Sequence, residues 1–273
     1  MKLGSIAYIN SLPIDWGLLS GAVRVPFEIT SDVPVRLNER MLAGEISAGP
    51  VSALWHAMND RRFYVLPDLS ISSQSGVQSV LLFSRLPLPA LAGQKISITS
   101  EGRTTPALLQ ILCKRRYGFT PQFVTGCDQA QARLLIGDRA LQESEEAKKE
   151  GWIVTDLAEE WRAWTGLGFV FALWVVRRDV ADADPEGTID LLHAIQESRH
   201  WGTTHAGEIL REAQLRTGLS EERIQSYFSG LSYGFGPELQ EAYRRYQAYA
   251  MECGLISYAA EPVFFNAQHT VAA

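Results

Sequence analysis

At three places in this chain a segment of strand character passes into a short polar or glycine-containing loop and then into a proline-led helix start. These junctions lie at 10–13, 49–52 and 102–106. Repetition of strand, loop and helix is typical of an α/β fold whose strands are joined by helical crossovers. Because the first N–H groups of a helix are unpaired and carry partial positive charge, several such ends facing one cleft would bind a carboxylate or phosphate. Each junction alone is better explained by ordinary capping, and only their repetition favours the anion site.

The hydrophobic pattern predicts strands and helices in alternation, followed by a helical C-terminal part. Strands are predicted at 3–9, 25–30, 46–49, 63–66, 77–84, 95–99, 121–125, 133–136, 152–155 and 169–176. Helices are predicted at 33–44, 106–117, 157–164, 187–200, 205–217, 220–229 and 236–253. The last helix has an apolar stripe at i, i+3, i+4 spacing, which indicates packing.

The length of 273 residues suffices for two lobes, each with its own core. Two strongly apolar strands, 77–84 and 169–176, bracket a self-contained unit. We therefore predict lobe one from 1–84 with 178–273, and lobe two as an insertion at 85–177. Each lobe is expected to be a mixed sheet flanked by helices, with the ligand cleft between the lobes.

The charge of the chain limits its partners. With 25 basic and 31 acidic side chains the net charge is −6, which does not support binding to nucleic acid or to an anionic membrane. The longest apolar run, 169–176, is far shorter than the ~20 residues of a membrane helix. The N-terminal segment is too short and too lightly basic for a signal peptide, so we expect a cytoplasmic protein. The sequence carries no signal of oligomeric state.

Neither the cysteines nor the histidines have the spacing of a metal site. The cysteines are Cys113, Cys127 and Cys253, and the histidines are His56, His193, His200, His205 and His269. No CxxC, HxxxH or HxH pair occurs among them. P-loop, GxGxxG and GxSxG motifs are also absent. We expect reduced, mostly buried thiols and no metal site.

Several polar residues at the junctions and in one strand are candidates for ligand binding. Asn10 follows the first strand, where its amide can both accept and donate, although it would also suit a loop cap. Ser79 lies in a strand rich in Val and Leu, where its hydroxyl needs a partner, either a ligand or the backbone. Thr104 and Thr105 precede a proline, so Thr105 is a ready N-cap and either threonine is also a candidate anion contact.

Weaker candidates accompany these. Ser11 follows Asn10 in the first junction. Gly49 and Ser52 would place free N–H groups and a hydroxyl at the second junction, although Gly49 is also a typical turn glycine. Arg103 would suit a bidentate carboxylate clamp, although an arginine in a loop is more often solvated. Asp138 is predicted to be a helix cap.

Six motifs occur in order along most of the chain. They are Tyr8-Ile9-Asn10-Ser11-Leu12-Pro13, the segments 42–53 and 76–84, Gly102-Arg103-Thr104-Thr105, and the segments 136–141 and 161–174. Together they resemble the menaquinone biosynthesis family, which is built on a type II periplasmic-binding-protein fold, and within it the chorismate dehydratases of the futalosine route.

The resemblance implies cofactor-free dehydration of chorismate, a small dicarboxylate, to 3-[(1-carboxyvinyl)oxy]benzoate. It implies a catalytic role for Asn10 and substrate contacts for Ser79, Thr104 and Thr105. Because an obvious general base is missing, we hypothesise that a substrate carboxylate takes the C3 proton while Asn10 orients the leaving hydroxyl.

Two other functions remain as alternatives. A sister branch of the family, the 1,4-dihydroxy-6-naphthoate synthases, uses a catalytic histidine in the second lobe, and residues 57–192 contain none. A non-catalytic module that binds or senses a small anion is also compatible with this fold.

Overall fold

A computed structural model of the chain describes residues 1–99, 102–126 and 130–266, and these residues contain two five-stranded sheets. The strands are β1 (Lys2–Ile6), β2 (Glu28–Asp32), β3 (Ala48–Ser52), β4 (Phe63–Ser73), β5 (Val80–Ser84), β6 (Lys95–Ile98), β7 (Gln122–Thr125), β8 (Ala132–Ile136), β9 (Ile153–Asp156) and β10 (Phe169–Arg177). The first sheet has the order β2-β1-β3-β10-β4, and the second has the order β7-β6-β8-β5-β9.

Helices flank both sheets. They are α1 (Leu12–Leu19), α2 (Pro34–Leu42), α3 (Ala53–Asn59), α4 (Thr104–Ile111), α5 (Gly137–Lys149), α6 (Leu157–Thr165), α7 (Arg178–Ala183), α8 (Pro185–Thr204), α9 (Ala206–Thr217), α10 (Glu221–Ser229) and α11 (Pro237–Glu252). The α/β class with mixed sheets is therefore confirmed. Among the residues that the structure describes, no helix is long and apolar enough to cross a membrane.

Each sheet combines parallel and antiparallel strands. In the first sheet, β1 runs parallel to β2 and β3, whereas β10 runs antiparallel to β3 and β4. In the second sheet, β6 runs parallel to β7 and β8, whereas β5 runs antiparallel to β8 and β9. The mixed sheet predicted for each lobe is therefore confirmed, and in the first sheet the parallel pairing typical of helical crossovers is confined to β1, β2 and β3.

The two bracketing strands belong to the opposite sheets from those predicted. The predicted boundaries assign strand 77–84 to lobe one and strand 169–176 to lobe two, but β5 pairs in the second sheet and β10 in the first. β5 is buried along its whole length and β10 along most of it, so their apolar character marks central strands without indicating which sheet they join. We propose that the lobes correspond to the two sheets, with crossings at 74–79 and 166–168.

The first junction differs from its predicted form. The strand predicted at 3–9 ends at Ile6, and Ile9–Ser11 forms a single 3-10 turn that leads into α1. This turn matters for the site because it holds Asn10 between the end of β1 and the start of α1.

Aromatic packing joins α11 to the second crossing. The ring centroids of Trp161 and Phe169 are 5.5 Å apart, and those of Phe169 and Tyr246 are 5.0 Å apart. The predicted packing stripe of the last helix comprises Leu239, Tyr243, Tyr246, Ala250 and Cys253. It is confirmed for the first four residues, which are buried, whereas Cys253 follows the end of α11. Cys113 is buried and Cys253 partly buried, and both are free thiols. Cys127 and His269 lie outside the described residues.

Candidate active site

A cleft with about 620 Å³ of empty space, part of it open to solvent, lies between the two sheets, at the carboxyl ends of β1 and β3 and at the starts of α4 and α5. It is called the cavity below. Its lining residues are Ile6, Tyr8, Asn10, Pro34, Ser52, Ile71, Val77, Ser79, Val80, Gly102, Thr104, Thr105, Ile136, Gly137, Phe171 and Ala172. None of these described residues is Asp, Glu, Lys, Arg or His. A bound anion would therefore meet amides, hydroxyls and helix starts rather than side-chain cations.

The structure brings five of the eight predicted site residues into this lining: Asn10, Ser52, Ser79, Thr104 and Thr105. They come from both sheets, so the cavity has the position predicted for a cleft between lobes.

Asn10 is available to a ligand. It lies in the turn Ile9–Ser11, and its Oδ1 is buried without a hydrogen-bond partner among the described residues. An unpaired buried polar group costs on the order of 1–3 kcal/mol, which a ligand hydroxyl that donates to this oxygen would offset. This favours ligand binding over loop capping, and the catalytic role of Asn10 stays a prediction.

Ser79 lies one residue before β5 with only 3% of its surface exposed. The Tyr227 hydroxyl donates to Ser79 Oγ at 3.0 Å, and the backbone N–H of Gly137 donates to the Ser79 carbonyl at 2.9 Å. Because Ser79 Oγ is the acceptor in the bond from Tyr227, its own hydroxyl hydrogen can still be donated to a ligand.

Asp156 fixes the segment that carries Ser79. Its Oδ2 accepts from Val77 N at 2.8 Å and from Gln78 N at 2.6 Å, while its Oδ1 accepts from Ala158 N at the start of α6. Burial raises the pKa of Asp156, and these backbone donors oppose that increase. We did not single out Asp156 from the sequence, although an aspartate followed three residues later by Glu159 is an N-terminal helix signal.

Thr104 connects the two sides of the cavity. Its Oγ1 accepts from Leu54 N in the first turn of α3 at 3.0 Å. The predicted N-cap role of Thr105 is wrong, because α4 begins at Thr104 and its N-cap is Arg103. Thr105 is buried in the lining, where its hydroxyl is a candidate donor to a ligand.

Ser52 is the N-cap of α3 but makes no side-chain capping bond. Its Oγ instead accepts from Asn38 Nδ2 at 3.4 Å. The hydroxyl hydrogen of Ser52 can therefore donate into the cavity.

The structure does not bring Ser11, Gly49 or Arg103 into the lining. Ser11 is fully buried and its hydroxyl donates to the Ile6 carbonyl at 2.8 Å. Gly49 has φ +152°, and a Cβ there would lie 2.8 Å from the Gly4 carbonyl oxygen, so this glycine permits close approach of β1 and β3. Arg103 is exposed at the start of α4.

Asp138 does not cap its own helix. The N-cap of α5 is Ile136, and Asp138 Oδ1 accepts from Ile9 N, in the turn of the first lobe, at 3.0 Å. The prediction of a helix cap is therefore wrong: the carboxylate accepts an N–H from the opposite side of the cleft. Burial raises the pKa of Asp138 to about 6, while the Ile9 N–H and Arg216 favour its charged form.

Among the described residues, no group of three or more His, Cys, Asp or Glu side chains could hold a metal ion. His56 is buried, its Nδ1 lies 2.7 Å from the Tyr243 hydroxyl, and burial lowers its pKa to about 4. It is a neutral packing residue outside the lining of the cavity.

The profile of the menaquinone biosynthesis family matches residues 1–252. A chorismate dehydratase from Thermus thermophilus is 31% identical over 251 residues, which cover 85% of this chain and 88% of that protein. Protein AF1704 from Archaeoglobus fulgidus, 19% identical, has a TM-score of 0.77 and covers 93% of this chain and 98% of its own. The periplasmic aliphatic sulphonate binding protein SsuA from Escherichia coli, 12% identical, has a TM-score of 0.67 over 97% of this chain and 92% of its own. The two solved structures show a periplasmic-binding-protein-like fold, and the sequence matches show that the chain belongs to the menaquinone biosynthesis family.

Proposed function

We propose that this chain is a chorismate dehydratase, which removes the C3 hydrogen and the C4 hydroxyl of chorismate as water and leaves 3-[(1-carboxyvinyl)oxy]benzoate. Family membership and the likeness to the Thermus chorismate dehydratase support this proposal. The structural observation that carries it is a cavity whose described lining offers hydroxyl, amide and helix-start donors but no charged side chain.

The two carboxylates of chorismate would be bound by neutral donors. Ser52, Ser79 and Thr105 present hydroxyls, and α4 and α5 begin at the lining with N–H groups that have no partner inside their helices. In a partly buried site these dipoles hold an anion without a counter-charge and without reorganisation during the reaction.

The same lining suggests the source of the base. No described lining residue has a carboxylate or imidazole to take the C3 proton, so we infer that a carboxylate of the bound substrate takes it. The electron pair of the broken C–H bond forms the new ring double bond as the C4–O bond breaks. The departing hydroxide takes the proton from the protonated carboxyl group and leaves as water, which returns the carboxylate to its charged form. The Asn10 amide would donate to this hydroxyl, and aromatisation of the ring drives the reaction.

The first test is turnover of chorismate by the purified protein after exhaustive EDTA treatment. We expect an enolpyruvyl benzoate product, lighter than chorismate by one water, at a rate that added Zn²⁺ or Mg²⁺ does not raise, because the described residues contain no candidate metal cluster. Loss of activity that one metal restores would contradict the proposed mechanism. Binding of chorismate without product would instead support a non-catalytic module.

Ser79→Ala is expected to raise the KM for chorismate by about 5- to 30-fold, equivalent to ~1–2 kcal/mol, if the hydroxyl donates to a substrate carboxylate. Steady-state kinetics measure this effect. Tyr227→Phe removes the donor to Ser79 Oγ but keeps the serine, so a smaller increase in KM is expected.

Ser84→Ala is the matched control. Ser84 is an equally buried serine at the other end of β5, where its hydroxyl donates to the Leu86 carbonyl at 2.7 Å, outside the cavity lining. We expect it to lower thermal stability without changing KM. If Ser79→Ala behaves in the same way as Ser84→Ala, Ser79 is a core serine and not a substrate contact.

A further inference from the structure

The start of α5 contacts both of the segments that carry candidate catalytic and binding groups. From the second lobe, Asp138 Oδ1 accepts from Ile9 N at 3.0 Å, and its Oδ2 lies 3.4 Å from the same nitrogen. One residue earlier, Gly137 N donates to the Ser79 carbonyl at 2.9 Å. Two consecutive residues of α5 are thus bonded to the neighbour of Asn10 and to Ser79 itself.

The Asp138 contact supplies what the turn at Ile9–Ser11 lacks. The residue before this turn, Tyr8, provides no side-chain cap for it. A carboxylate at the N-terminal end of a helical turn satisfies an unpaired N–H and is favoured by the local dipole. Asp138 therefore caps the turn of Asn10 from the other side of the cleft.

A second contact between the same segments depends on a glycine. Gly137 has φ +65°, and a Cβ at this position would lie 2.9 Å from the ring of Tyr8. The absence of a side chain lets the Tyr8 ring approach the backbone of α5, and both residues line the cavity. The two walls of the cavity therefore meet at two neighbouring residues. Gly137 lets the Tyr8 ring approach closely, and Asp138 accepts a hydrogen bond from Ile9 N.

We propose that Asp138 is a positioning residue whose carboxylate holds the Ile9 N–H across the cleft, and so places the Asn10 amide relative to Ser79. This inference rests on the proposed function for its effect on rate, but the contact itself does not. Arg216 faces the same region, because its guanidinium lies 3.5 Å from the Ala7 carbonyl, and it pairs with Glu212 on its own helix. The contact with Ile9 N is made by one oxygen acceptor of Asp138, so the inference assigns the positioning to this hydrogen bond and not to the net charge of the carboxyl group.

The test compares Asp138→Ala with Asp138→Asn. Asp138→Ala removes the acceptor, and we expect kcat to fall about 10- to 100-fold with a smaller change in KM. Asp138→Asn keeps a carbonyl oxygen that can accept from Ile9 N, so it should restore kcat to within about threefold of the wild type. If the asparagine variant were as slow as the alanine variant, the charge or a proton of Asp138 would be needed, and positioning through the hydrogen bond would be excluded.

A second readout does not depend on turnover. Amide hydrogen exchange at Ile9, measured without chorismate, should be slow in the wild type and in Asp138→Asn and at least tenfold faster in Asp138→Ala. Unchanged exchange in Asp138→Ala would overturn the contact itself, whereas protection of Ile9 in a protein without chorismate turnover would contradict only the proposed function.

Asp184→Ala is the matched control. It removes an exposed aspartate that caps α8 by accepting from Gly187 N at 2.9 Å, away from the cavity lining. We expect a small loss of stability, unchanged kcat and unchanged Ile9 exchange. An equal loss of kcat in the Asp184 and Asp138 alanine variants would indicate a general effect of lost capping and contradict positioning.

Discussion

Asn10→Asp is expected to lower kcat for chorismate by about 100- to 1,000-fold while the protein stays folded. The substitution replaces the Nδ2 donor with an acceptor and places a negative charge beside a dianionic substrate. The described cavity lining contains no Lys, Arg or His that could neutralise this charge. The donor that the leaving hydroxyl requires would be lost at the same time. Single-turnover kinetics with excess enzyme would measure the chemical step directly.

Asn59→Asp is a control with the same chemical change. Asn59 ends α3, and its Nδ2 donates to the Trp55 carbonyl at 2.9 Å, outside the cavity lining. We expect near-wild-type kcat for this variant. If Asn10→Asp also had a near-wild-type kcat, Asn10 would have no catalytic role. The burial of its unpaired Oδ1 would then need another explanation.

The order and type of the elements could be predicted because they depend on local pattern. The C-terminal helices α8 to α11 start and end within about four residues of their predicted positions, since their apolar spacing and caps are set by neighbours in sequence. The sheet that a strand joins is a long-range property. β5 and β10 illustrate this, because an apolar central strand is equally suited to either sheet.

The candidate site was predictable where a polar residue ends a strand or follows it closely at its cavity end. Asn10 and Ser52 meet this condition, and both line the cavity. Ser11 was the weaker candidate of this junction, and the structure gives the reason: a single 3-10 turn directs the Asn10 side chain to the cavity and the Ser11 hydroxyl to the Ile6 carbonyl. Arg103, a candidate substrate contact, lies exposed at the start of α4 and does not line the cavity.

Contacts across the cleft were not predictable. Asp138 and Ile9 are separated by 129 positions, and the Thr104 hydroxyl and Leu54 N–H by 50. In both cases a residue that has the local features of a helix start instead satisfies an N–H group of the opposite lobe. Local propensity identifies such residues as polar and helix-initial, but only the packing of the two sheets determines which N–H they meet.

The second large effect that we expect is on stability, and it concerns Asp15, whose carboxyl group is buried in α1, the helix that follows the Asn10 turn. Its side chain in α1 is 2% exposed, Ser5 Oγ donates to its Oδ2 at 2.6 Å, and its Oδ1 has no partner among the described residues. Burial raises the pKa of Asp15 from 3.8 to about 7, although the Ser5 and Ser11 hydroxyls lower it. Between pH 3.8 and about 7, the carboxyl group of Asp15 therefore keeps its proton in the folded state and loses it in the unfolded state.

Asp15→Asn is expected to stabilise the protein at high pH and not at low pH. Between the unfolded and folded pKa values, the folded state binds more protons, so the free energy of unfolding of the wild type falls as pH rises towards 7 and then levels off. A shift of this size corresponds to a loss on the order of 4 kcal/mol. An asparagine is nearly isosteric with the protonated acid and does not ionise. At pH 8.5 its melting temperature should therefore exceed that of the wild type by on the order of 10 °C.

Melting temperatures of the wild type and of Asp15→Asn, measured at several pH values from 5 to 8.5, test this expectation. Asp190→Asn, which changes an exposed aspartate on α8, is the control and should give the same difference from the wild type at every pH. A difference for Asp15→Asn that is also constant with pH would show that the carboxyl is charged in the folded protein throughout. The folded protein would then carry a buried anion in α1, the helix that follows the Asn10 turn, and contacts other than the Ser5 hydroxyl would have to offset the cost of burying that charge.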